Sequence, residues 1–172
     1  MLAELARATS ATAKLGVLQG REVLCLVQTS HPHGAAAIAS TVPAHSTAIG
    51  KALLAFSPTA VVDEIIAEGH WVPSAIAPTS PDNLRQALSV IRLTQIATAR
   101  DEYQPDRSAF AMPVFSGGGR VAAAIELTIG DAGSDRKAVV SALTVACRSL
   151  LRQLATELRD HGTEDAEGSA SA

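Results

Sequence analysis

Two pairs of apolar segments, each joined by a short turn that contains glycine, most constrain the fold of this chain. The segments cover residues 12–18 and 22–28 near the start, and 109–115 and 121–129 further on. Gln19-Gly20 connects the first pair and Ser116-Gly117-Gly118-Gly119-Arg120 the second. Glycine supplies the positive φ angles that tight hairpin turns require. Both pairs are therefore predicted to be antiparallel β-hairpins, and the glycine run is assigned to a turn and not to a cofactor loop.

Helices are predicted between and beyond these hairpins. Ser57-Pro58 and Ser80-Pro81 are typical of helix starts, where serine caps the helix and proline occupies its first turn. Apolar spacing predicts four further elements: helices over 1–10 and 134–158, the latter capped by Ser134, and strands over 35–42 and 95–100. Hairpins grouped at both ends, with helices between them, favour an antiparallel sheet with helices packed on it, the α+β class.

Composition excludes several classes of function. The chain has 172 residues, 47% of them apolar, which fits one folded domain. The net charge is −3, lysine and arginine are not clustered, and only 3% of residues are aromatic, so unaided binding to nucleic acid is not expected. No apolar run is long enough to span a membrane. Cys25 and Cys147 lie in apolar runs and are expected to be buried, reduced thiols, which favours a cytoplasmic protein.

The segment PAHSTAIGKALLAF, residues 43–56, resembles at first sight a phosphate-binding loop that leads into a helix. Such a loop needs glycine where this chain has His45, and a hydroxyl residue where it has Ala52. The segment is therefore interpreted as a helix start, with Ser46 and Thr47 capping the first turn. Gly50 falls inside this helix, where glycine is unfavourable, which predicts that another part of the chain packs closely against its backbone.

Two segments together resemble a known family. PAHSTAIGKALLAFSP is similar to the signature P-x-H-x-T-x-x-G-K-A-L-L-A of the effector-binding domain of IclR-type bacterial transcription regulators, and ATARDEYQPDRSAFAMPVFSGGGRVAAAIELT is similar to that family's second block. The resemblance implies a GAF/PAS-like fold with a sheet of about six antiparallel strands. It also implies pairing into homodimers or homotetramers, and DNA binding only through an N-terminal winged helix-turn-helix that this chain lacks. On this basis residues 1–10 are expected to be the stub of a linker helix, 11–160 the effector-binding domain, and 161–172 a disordered tail.

The resemblance also implies a pocket for a small organic acid or related metabolite. Its expected lining residues come from the helix start and from the second block: Ser46, Thr47, Ala48, Ile49, Glu102, Arg107, Ala109, Glu126 and Thr128. Free N–H groups at a helix start are a suitable seat for a carboxylate. No cofactor, metal or catalytic residue is expected.

Glu126 departs from the family pattern, which often has a small hydroxyl residue at this position. A buried glutamate beside a carboxylate ligand is unfavourable unless it is protonated or paired. We therefore expect either that Glu126 pairs with Arg107 or that the ligand is not a simple anion. Our hypothesis is that Glu126 reads a hydroxyl or amine on the ligand, and the alternative is that it faces water.

The function that these observations favour is small-molecule sensing within a transcription regulator, without catalysis. Two alternatives stay open at this stage. One is a small hydrolase or isomerase that uses Glu126 and Arg107 in the same pocket. The other is a purely structural dimerisation domain.

Overall fold

The computed structural model describes residues 1–30, 34–36, 40–69, 80–102, 106–130, 136–150 and 152. The described helices are α1 (Leu2–Thr9), α2 (Ala48–Leu54), α3 (Thr59–Glu68), α4 (Pro81–Thr94) and α5 (136–150). The described strands are β1 (Thr12–Gln19), β2 (Glu22–Ser30), β3 (Gly34–Ala36), β4 (Ser40–Pro43), β5 (Ala97–Arg100), β6 (Arg107–Phe115) and β7 (Val121–Gly130).

The strands form one sheet in which every described pairing is antiparallel, in the order β3-β2-β1-β7-β6-β5. The short strands β3 and β4 both pair with β2, at opposite ends of it, so the sheet is six strands wide. This confirms the predicted α+β class with about six strands. The strand predicted over 35–42 is described at its two ends, as β3 and β4, which pair with β2 along one edge, and residues 37–39 between them lie outside the described part of the chain.

Both predicted hairpins are confirmed, as β1–β2 and β6–β7. They meet side by side because β1 pairs with β7, from Thr12 opposite Thr128 to Gly16 opposite Ala124. No local signal in the sequence predicts this pairing. It matters for the site because it places the first strand of the chain beside a strand more than a hundred residues later.

The sheet separates two apolar cores. Helices α2, α3 and α4 cover one face, and α1 and α5 cover the other. Along β7 the side chains alternate, since Ile125, Leu127 and Ile129 belong to the core beneath α1 and α5. Glu126 and Thr128 point to the opposite face and are buried. The alternative that Glu126 faces water is therefore wrong.

The start of α2 is held by Thr47, as predicted. The Thr47 hydroxyl accepts a hydrogen bond from the Gly50 N–H at 3.2 Å and donates to the Pro43 carbonyl at 2.7 Å. Gly50 packs directly on the preceding loop, because a Cβ atom at this position would lie 2.2 Å from the carbonyl oxygen of Ala44. The close approach expected from a glycine inside this helix is thus confirmed.

The start of α4 agrees with the prediction, whereas the starts of α3 and β5 differ from it. Ser80 caps α4 with Pro81 in its first turn, as predicted. Ser57 does not cap α3, since its hydroxyl donates to the Leu53 carbonyl at 2.9 Å. Strand β5 begins at Ala97, because Gln95 has a φ of 57° and ends α4. The predicted cap Ser134, and the end of its helix beyond residue 152, lie outside the described residues.

Both cysteines are buried and free, as expected, and burial raises the pKa of the Cys147 thiol to about 12. Among the described helices, none has the length and apolar character needed to cross a membrane.

We predict that Gly50→Ala destabilises the domain by about 3 kcal/mol, because the new methyl group overlaps the backbone of Ala44. An Ala in place of Gly inside a helix normally stabilises by about 1 kcal/mol, so the expected sign is reversed here. Gly117→Ala is the matched control, since a Cβ atom there meets nothing within 4 Å. Urea unfolding measures both variants, and equal stability of the two would contradict the close approach.

Candidate functional site

A cavity lies between the start of α2 and the sheet face that this helix covers. The empty space in and around it, counting the open mouth, is about 330 Å³. The lining residues are Lys14, Thr47, Ala48, Ala99, Glu102, Arg107, Ala109, Glu126 and Thr128. Four of these side chains carry a formal charge, in a region where most neighbouring side chains are apolar.

The strand register explains how these residues meet. Lys14 lies opposite Glu126 on adjacent strands. One step along the sheet, Thr128 lies opposite Ala109, which lies opposite Ala99. One step further, Arg107 lies opposite Gly130. Since residues two apart on a strand share a face, the floor has a charged pair at one end, small alanines in the middle, and an arginine at the other end.

The carboxylate of Glu126 is held by three donors. Lys14 Nζ lies 3.2 Å from Oε1, the Thr128 hydroxyl donates to Oε1 at 3.1 Å, and the Ile49 N–H donates to Oε2 at 2.9 Å. Glu126 is only 3% exposed, so these partners offset the cost of burying its carboxylate. The expected pairing of Glu126 with Arg107 is therefore wrong: β1 supplies the cation, through Lys14.

The helix start is not an empty seat for a ligand's carboxylate. The Ile49 N–H, which we expected to face the ligand, donates to Glu126, and the Gly50 N–H donates to Thr47. A carboxylate does occupy the start of α2, but it belongs to the protein. This is the main difference between the expected site and the observed one.

A second buried ion pair fixes the other side of α2. Lys51 Nζ donates to both carboxylate oxygens of Glu102, at 2.8 and 2.7 Å, and its side chain is 3% exposed. Burial raises the pKa of the Glu102 carboxyl above its usual value, although the Lys51 ammonium opposes that rise. Glu102 follows the end of β5, where Asp101 has a φ of 54°. The ammonium group of Lys51 is thus occupied by the carboxylate of Glu102.

Most of the predicted site residues line one cavity. Ser46 and Ile49 do not line it: Ser46 is buried beside it, and Ile49 contributes its N–H to Glu126 while its side chain belongs to the core. Lys14 and Ala99 were missed. The signal for Lys14 was present, because it is the single charged residue in the apolar strand TAKLGVL. Within the described ranges, no group of histidine, cysteine or carboxylate side chains is arranged to hold a metal ion.

The antiparallel sheet with helices on both of its faces is the fold of a solved C-terminal domain of a bacterial transcription regulator. The sequence profile described as "Bacterial transcriptional regulator IclR C-terminal" matches residues 1–156, and the chain belongs to this family.

Individual relatives agree with this assignment. The HTH-type transcriptional regulator XynR of Escherichia coli K12 is 33% identical over 134 residues, which cover 74% of this chain and 52% of the relative. The chain thus spans about half the length of that protein. The C-terminal domain of the E. coli transcriptional regulator KdgR superposes with a TM-score of 0.79 at 25% identity, covering 89% of this chain and 93% of that one.

A third relative carries a ligand. An IclR homolog from Microbacterium hydrocarbonoxydans was solved in complex with 4-hydroxybenzoate. It superposes with a TM-score of 0.79 at 22% identity, and the match covers 90% of this chain and 65% of that chain. At this identity the likeness establishes a shared fold. The family and these relatives are transcriptional regulators and not enzymes.

We predict that Lys51→Met destabilises the domain by about 3 kcal/mol at neutral pH, because it leaves the buried Glu102 carboxylate without its partner. Loss of Lys51 raises the pKa of Glu102 further. A carboxyl whose pKa is higher in the folded state than in the unfolded state stabilises the fold at low pH. This stabilisation is lost as the pH rises through the folded-state pKa. The loss in the free energy of unfolding should therefore increase as the pH rises from the usual pKa of a glutamate to neutrality. Urea unfolding at several pH values measures it.

The matched control for this prediction is Arg85→Met, which breaks the exposed pair between Arg85 and Asp63. Exposed pairs contribute little, so its penalty should stay below about 1 kcal/mol and vary little with pH. Equal penalties for the two variants would show that burial of the Lys51–Glu102 pair has no energetic role.

Proposed function

We propose that this chain is the small-molecule-sensing domain of a bacterial transcription regulator, and that its effector binds in the cavity at the start of α2. The observation that carries the proposal is a buried charged pair, Glu126 with Lys14, at the floor of a cavity whose middle is lined by the small side chains of Ala99, Ala109 and Thr128. Buried charges are costly unless they are paired and hydrogen-bonded, and a few such polar groups in a cavity wall can orient a ligand. The pair is suited to recognition of a polar ligand.

The cavity also fits regulation better than the two alternatives. Glu102 is held by both of its oxygens, and Glu126 accepts three hydrogen bonds, so neither carboxylate is arranged as a general base. Nothing observed favours a hydrolase or isomerase. A purely structural dimerisation domain gives no reason for a cavity with charged walls.

A ligand in the cavity would touch groups that are linked to α1. Lys14 lies on β1, and β1 begins directly after α1, whose Ala6 carbonyl accepts a hydrogen bond from Ala11 at 3.0 Å. Leu5 and Ala6 belong to the same core as Ala13 of β1. We propose α1 as the end of a linker that carries the ligand state towards a DNA-binding helix-turn-helix domain elsewhere in the full-length regulator.

For the full-length protein we further propose homodimers or homotetramers in the cytoplasm, as the family resemblance implies. A ligand shifts such an assembly only if it binds one state more tightly than the other. Residues 11–160 would then be the sensing unit.

The test is a thermal-shift screen of small organic acids, followed by calorimetry, with 4-hydroxybenzoate included because a structural relative binds it. Ala109→Leu should abolish binding of any hit, because the larger side chain fills the middle of the cavity. Ala67→Leu, on the exposed side of α3, is the control and should bind normally. Unchanged binding by Ala109→Leu would place the effector elsewhere, and conversion of the hit to a product would support the enzyme alternative.

A further inference from the structure

The donors around Glu126 come from three different elements and bind a carboxylate of the protein itself. An ammonium, a hydroxyl and a backbone N–H converge on Glu126 from β1, β7 and α2. These are donors of the kind that bind the carboxylate of a small ligand. In this chain they are engaged by a side chain that is 3% exposed.

A ligand's carboxylate at the same end of the cavity is therefore unfavourable. Two carboxylates that share a buried site repel each other, so that one must take up a proton. Displacement of Glu126 is also costly, because it would move a buried charge away from Lys14 and leave the Ile49 N–H without its described acceptor. The end of the cavity at Glu126 thus rejects anions.

The same end of the cavity can still bind a neutral polar group. A carboxylate can accept about four hydrogen bonds, and the described residues supply three to Glu126. An ammonium has three protons to donate, and Lys14 uses one of them on a described partner. A hydroxyl can donate to Glu126 and accept from Lys14 at the same time. A ligand ammonium could donate to Glu126 but would face the positive charge of Lys14.

The opposite end of the cavity offers a cation. Arg107 is exposed on β6, and its side chain makes no ion pair with any residue in the described ranges. The nearby Glu102 is already held by both oxygens on Lys51. A guanidinium binds a carboxylate through two parallel hydrogen bonds. The small side chains of Ala99 and Ala109 leave the space between the two ends open.

From this geometry we infer that the cavity accepts a small hydroxylated monocarboxylate, with its carboxylate on Arg107 and its hydroxyl between Glu126 and Lys14. The inference rests on the proposed function and adds the class and orientation of the ligand. It assigns Glu126 as the residue that selects hydroxy acids over dicarboxylates.

The experiment compares compounds that differ at one end only. The compounds are carboxylic acids of increasing chain length. At each length, thermal shift and calorimetry compare four compounds that carry at the far end either no substituent, a hydroxyl, an amine or a second carboxylate. The wild-type chain should bind the best hydroxy acid at least about tenfold more tightly than its three matched compounds, because one charged hydrogen bond is worth about that factor.

Glu126→Gln removes the negative charge but keeps the shape of the side chain. Lys14 then lacks its counter-charge, so the dicarboxylate should gain at least about tenfold in affinity and overtake the hydroxy acid. Glu64→Gln makes the same chemical change on the exposed surface of α3 and should keep the wild-type ranking. If Glu126→Gln does not fold, Lys14→Met with Glu126→Gln removes both charges together and should abolish the preference for the hydroxyl.

Three results would overturn the inference: tightest wild-type binding of a dicarboxylate or an amino acid, the same ranking after Glu126→Gln, or no binding by any hydroxy acid. Ala109→Leu separates these failures from a failure of the proposed function. A ligand of another class that binds the wild-type chain and is lost in Ala109→Leu would leave the sensing cavity intact and remove only the hydroxy acid assignment.

Discussion

The buried carboxylate of Glu126 joins the start of α2 to the sheet, and the architecture of the site depends on it. The helix is too short to be stable through its own hydrogen bonds, so tertiary contacts must hold it in place. Glu126 provides one such contact by accepting from the Ile49 N–H while it pairs with Lys14 on a different strand. One side chain on β7 thereby connects the first strand of the chain with the helix that covers the cavity.

A second charged contact completes this arrangement. Lys51 projects from the same helix to Glu102, beyond the end of β5, and both groups are nearly removed from water. Buried pairs of this kind are a weak source of net stability, but they impose a specific geometry because each partner is costly to leave alone. One contact at Ile49 and another at Lys51 hold α2 over the floor of the cavity.

Much of the fold was predictable because its signals are local. Glycine turns between apolar segments specify the two hairpins, and Ser80-Pro81 specifies the start of α4. Gly50 was interpretable because a glycine inside a helix implies a close neighbour, and that neighbour is Ala44. The sequence signal at Ser57 is ambiguous, since a serine hydroxyl can donate to a carbonyl of the preceding helix as readily as it caps the next one, and here it donates to Leu53. Lys14 was missed because a single lysine in a strand gives no indication of its partner.

The sequence by itself therefore determined most of the elements and the α+β class, because turn chemistry, capping and apolar spacing act over a few residues. The family followed from the resemblance of two segments to known motifs. Tertiary structure alone decided the character of the site. Two of the three groups that hold Glu126 are distant in the sequence. Lys14, 112 residues away, meets it because β1 pairs with β7 in one particular register, and the Ile49 N–H, 77 residues away, meets it because α2 packs on the same face of the sheet. A register shift of one residue would turn Lys14 or Glu126 to the opposite face of the sheet. Which charges face each other across the cavity is thus a property of strand pairing and not of any local motif.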